Sequence, residues 1–129
     1  MTLDEFNAYC ASLSGTTNVV QWGGASVWKI GGKIFVVAGW SADKELGVTF
    51  KVSDIGYEIL KEEAGLRPAP YLASRGMKWI QRTSNGYMDD DGLREHLDAS
   101  YRIVASGLPK KRLAELGLED LKKDKTNNR

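Results

Sequence analysis

With one cysteine and one histidine in 129 residues, the chain can form no internal disulfide and cannot assemble a zinc cluster of the usual spacing. That fits a reducing cytoplasm, the expected location. No apolar run approaches membrane-spanning length, and Met1-Thr2-Leu3-Asp4-Glu5 lacks the basic and apolar regions of a secretory signal, so no membrane partner is expected. Neither charge sign dominates: 18 Lys and Arg stand against 17 Asp and Glu. The glycine pairs at 23-24 and 31-32 are not followed by a phosphate-loop pattern, and no Gly-x-Ser-x-Gly elbow exists. His96 has no nucleophile placed with it by any pattern. The set of nucleophile, base and oxyanion donor cannot be filled, so the expectation is a non-enzymatic protein with no catalytic residue, no cofactor and no metal site.

What is present reads as one α+β domain over residues 1–118, followed by a polar tail, 119–129, expected to fray. The seed is Val27 to Ala38, two strands joined at Gly31-Gly32, in which Ile30 opposing Lys33 sets Trp28 against Phe35 on one face. A strand at 18–22 precedes it and the alternation Leu46-Gly47-Val48-Thr49-Phe50-Lys51-Val52 follows it, giving an antiparallel meander. Lys78 to Thr83 supplies a fifth strand, with Trp79 as the candidate core aromatic. Thr2 and Glu5 have capping-box spacing before an amphipathic helix through Leu3, Phe6, Cys10 and Leu13. Ser53 caps a second helix with Ile55, Ile59 and Leu60 inward, and Leu93, Leu97, Tyr101 and Val104 mark a long third. Pro109 opens a short fourth, with Leu113 and Leu116 inward. The order α-β-β-β-β-α-β-α, plus the short helix, predicts a two-layer sandwich of about five strands and three main helices. Residues 66–77, carrying Pro68 and Pro70, read as a connection.

Two features bear on chemistry. Asp89-Asp90-Asp91 reads as a helix N-cap with favourable dipole charge, since a calcium loop needs spaced ligands and a distal carboxylate. Cys10 lies on an apolar stripe and is expected to be a buried, inert thiol. Charge is uneven along the chain. Residues 1–63 hold five cations against eight anions, residues 64–88 four against none, and residues 89–129 nine against nine. That middle zone and the hairpin suggest duplex DNA as partner, with Lys29, Lys33, Trp40, Arg75, Lys78 and Arg82 as contacts. The alternative is a protein or small-ligand groove between loop 66–77 and the sheet, lined by Arg67, Tyr71 and Trp79. Either suits a monomer or weak dimer.

A set of residues in order, Val48-Thr49-Phe50-Lys51, Arg67-Pro68, Lys78-Trp79, Ser100-Tyr101, Leu108-Pro109 and Arg112, resembles the MmcQ/YjbR family of small bacterial proteins. The likeness runs from about Met1 to Leu118 and extends to Met1-Thr2-Leu3 and Tyr9-Cys10. It implies a sandwich related to frataxin-like folds, a double wing of β-hairpins, and DNA as a partner.

Overall fold

A computed structural model describes residues 1–39, 46–70 and 77–119. In chain order the elements are helix α1 (Leu3–Ala11), strands β1 (Thr16–Gln21), β2 (Ala25–Ile30), β3 (Lys33–Ala38) and β4 (Val48–Lys51), and helix α2 (Asp54–Leu60). Strands β5 (Leu66–Pro68) and β6 (Trp79–Arg82) follow, then helices α3 (Asp90–Ser106) and α4 (Lys110–Glu115). One antiparallel sheet runs in the order β1-β2-β3-β4-β6-β5, with buried residues of all four helices joining the core on one of its faces.

The sheet has six strands where the pattern predicts five, because Leu66–Pro68 pairs with β6. Three residues are too few to show an alternation, and a proline is tolerated because the strand lies at the sheet edge. Helix starts follow the sequence closely. Thr2 and Glu5 form the reciprocal capping box, Ser53 accepts from the Gly56 N–H, and Asp89 from the Gly92 N–H. Helix α2 departs from expectation: Leu60 is buried, but Ile55 and Ile59 are 74% and 57% exposed. With seven residues the helix makes barely two turns, and Leu60 and Tyr57 provide its contact with the core.

The hairpin register holds at the turn and slips once beyond it. Ile30 opposes Lys33 and Lys29 opposes Ile34, but Trp28 opposes Val36 instead of Phe35, because a bulge inserts one residue in β3. Phe35 and Val36 therefore both belong to the helix-side core, as does Trp28. The β3–β4 pairing runs no further than Val36 and Phe50. Beyond it, Ser100 of α3 bridges the strands: its hydroxyl donates to the Phe35 carbonyl at 2.5 Å and accepts from the Lys51 N–H at 2.8 Å. A helix residue thus satisfies two backbone groups at the bulge. Nearby, the Phe35 and Tyr101 rings meet edge to face at 5.5 Å.

Helix α1 is tied down by Asn7, whose side-chain oxygen accepts from the Ser26 hydroxyl at 2.7 Å and the Trp28 indole at 2.9 Å. Cys10 is buried, and desolvation pushes its thiol up to about 12, which makes it inert as expected. His96 stacks on Phe50 at 5.2 Å, and burial lowers its pKa.

The other face of the sheet carries a single row across all six strands: Val19, Val27, Val37, Thr49, Gln81 and Arg67. Its valine half holds a second apolar cluster of Ala25, Val27 and Val37 with Ile34 against it. Its polar half is linked by the Arg67 Nε donating to the Gln81 Oε1 at 2.7 Å.

Candidate nucleic-acid interface

The predicted contacts separate into two groups. Lys29 lies half-buried on β2, opposite Ile34, and Lys33 is exposed at the start of β3. These two remain available at the hairpin. Arg82 does not, because it is 6% exposed, with its Nη2 2.9 Å from the Asp90 Oδ1 and its Nε donating to the Ser84 carbonyl. Its charge serves the interior. Lys78 is half-buried with its ammonium 4.7 Å from the Tyr57 ring centre. It also adds a small attraction to the Glu58 carboxyl, which a hydrogen bond from Lys61 already holds below its ordinary value. Trp40, Tyr71 and Arg75 lie outside the described residues. Arg67 is exposed and Trp79 buried, both on the sheet face away from the helix-side core.

The acidic triplet is fully engaged. Asp89 caps α3, Asp91 pairs with Arg94 at 2.8 Å, and Asp90 pairs with Arg82 and, at 3.1 Å, with the Met1 ammonium. Burial pushes the Asp90 carboxyl up, but the hydrogen bonds from the Met1 ammonium and Arg82 outweigh it, so the net shift is downward.

Folding also gathers cations that no linear window reveals. The β2–β3 turn packs against the α3–α4 junction so closely that a Cβ on Gly31 would sit 2.6 Å from the Leu108 Cδ1. Gly31 has a φ of +60° there, so both space and backbone call for glycine. Two and three residues beyond Leu108 come Lys110 and Lys111, both exposed. Lys33 and Lys51 border one cavity of about 200 Å³ together with Ile103, Val104, Gly107 and Leu108. Lys33 and Lys51 thus share a cavity, and Lys29, Lys110 and Lys111 lie within three residues of the Gly31–Leu108 contact at the same end of the fold; none of the five enters an ion pair among the described residues.

No acidic residue belongs to the segments that build this pole. Residues 16–39, 46–53 and 99–114 carry Lys29, Lys33, Lys51, Arg102, Lys110, Lys111 and Arg112, and no Asp or Glu. Asp43 and Glu45, between the first two of these segments, lie outside the described residues; among the described ones the nearest acids along the chain are Asp54 in α2, Asp98 in α3 and Glu115, which pairs with Arg112 at 3.4 Å. Sequence reasoning missed Lys51, Lys110 and Lys111. Residues 89–129 balance only because the acidic start of α3 is averaged with the basic start of α4. Separating residues 89–101 from 102–115 is the signal that finds Lys110 and Lys111; no linear signal joins Lys51 to them.

This architecture defines the class: a small α+β domain whose antiparallel sheet is covered by helices on one face, with a lysine-bearing pole at the end of its longest helix. The chain belongs to the YjbR family, whose family model matches residues 11–103. Among solved structures it is similar to the Deinococcus radiodurans protein DR2400, which has a DUF419 domain, at 24% identity and a TM-score of 0.78. The likeness covers 92% of this chain and 90% of that one, and it extends the shared fold well beyond the family match. No curated protein matches. Among the described residues, no helix is long and apolar enough to cross a membrane.

Proposed function

We propose that this domain binds duplex DNA, without catalysing a reaction on it, through the pole formed by Lys29, Lys33, Lys51, Lys110 and Lys111. The observation that carries the reading is the segregation of charge. Among the described residues, every Asp and Glu lies in a helix or its flanks, and the strands hold lysine and arginine alone as charged residues. Unpaired lysines displace the counterions condensed on a phosphate backbone, and a projecting turn such as Gly31-Gly32 can follow a groove. The sequence resemblance to the MmcQ/YjbR family, which implies DNA as a partner, supports this reading. Fluorescence anisotropy on a labelled random duplex tests it. Binding is expected at low salt and is expected to weaken steeply as salt rises. Binding that is absent at low salt, or indifferent to salt, overturns the proposal.

A further inference from the structure

A second cavity, of about 350 Å³, opens beside the sheet where Ile34, Val37 and Trp79 meet Trp22 and Met77. Lys33 and Lys51 border it. Its walls are aromatic and aliphatic, and its size lies at the small end of pockets that take organic ligands. Three observations set it apart from a passive dent. Trp22, which lines the cavity, holds a φ of +54°, a left-handed conformation strained for a bulky residue, and is 52% exposed. Glycine would adopt that φ without strain, as Gly23 and Gly24 do in the same turn. Trp79, which lines the cavity, is itself buried, and its indole N–H has no acceptor. Finally, the two lysines place positive charge against an otherwise apolar lining, and Met77, 40% exposed, supplies an adaptable wall.

We infer that this cavity is a binding site for a small aromatic carboxylate, its ring against Trp22, Met77 and Trp79 and its acid group beside Lys33 and Lys51. The volume suits one or two fused rings and excludes a polymer. The site shares Lys33 and Lys51 with the proposed DNA-binding pole but adds an apolar lining that a phosphate backbone does not need, so it stands even if the protein ignores DNA.

The test uses the full chain labelled with ¹⁵N. Its four tryptophans give four indole N–H signals, assigned by Trp→Phe variants. Titration with 2-naphthoate is expected to shift the Trp22 and Trp79 signals saturably. Trp28, whose indole donates to Asn7 on the helix side, is expected to stay in place. The neutral 2-naphthalenemethanol should bind about tenfold more weakly, and Lys33→Gln with Lys51→Gln should erase that difference. Lys33→Gln alone, at an exposed position, is expected to narrow it should the double variant fold poorly. No saturable shift at Trp22 and Trp79, a shift equal at Trp28, or equal affinity for acid and alcohol overturns the inference.

Discussion

The two ends of α3, about 25 Å apart, differ in how their charges are used. At the start, three aspartates are each matched to a partner: a backbone N–H, the buried Arg82 with the Met1 ammonium, and Arg94. Around the far end, where Gly31 meets Leu108, are five lysines with no carboxylate paired to them among the described residues. Charge at the first end is consumed in holding the fold, and charge at the second is left for something outside it. Runs of like charge in sequence therefore mislead in both directions. Arg82 belongs to the basic stretch 64–88 and is structural, whereas Lys51 and Lys110 belong to unremarkable stretches, Lys51 half-buried and Lys110 exposed, and neither enters an ion pair among the described residues.

The sharpest way to break this comparison is to detach the basic end from the sheet. Ser100→Ala removes the bridge between the Phe35 carbonyl and the Lys51 N–H, leaving two polar groups near the core without their partner. Chemical denaturation should record a loss of about 2–4 kcal/mol. A loss within error of zero would mean that β3 and β4 close the gap without the helix.

A smaller effect is expected at the acidic end. Asp90→Asn removes the charge that pairs with Arg82, but Asp90 is 37% exposed and water can take over part of its role. The expected cost is about 1–2 kcal/mol. Because the Asp90 pKa is lowered in the folded state, the unfolded chain binds this proton more readily. The contribution is therefore complete above the ordinary aspartate pKa and is lost as pH falls through the folded value. Wild-type stability should drop more steeply than that of Asp90→Asn over this acid range, and parallel curves would remove the pair from the account.

Most of the fold was legible because its signals are local. The capping box at Thr2, the caps at Ser53 and Asp89, the Gly31-Gly32 turn and the α3 stripe each lie within a few residues and were read correctly. The failures are non-local or too short to show a period. The bulge at Phe35 is stabilised by Ser100, 65 residues away, and β5 has three residues. The outward Ile55 and Ile59 follow from how little of α2 reaches the core. For the candidate interface, the sequence identified Lys29 and Lys33, since they flank a recognisable turn. It could not join them to Lys51, Lys110 and Lys111, because that requires knowing that Leu108 packs on Gly31.

On the proposed reading the lysine pole, and not the basic stretch of sequence, meets DNA. The direct measurement is the dependence of log affinity on log salt for two variants on the same random duplex. With Lys33, Lys51 and Lys110 all changed to Gln, the magnitude of the slope should fall by about 2–3, whereas Arg67→Gln with Lys78→Gln should leave it as in wild type. A slope reduced by the second variant and untouched by the first would contradict the claim.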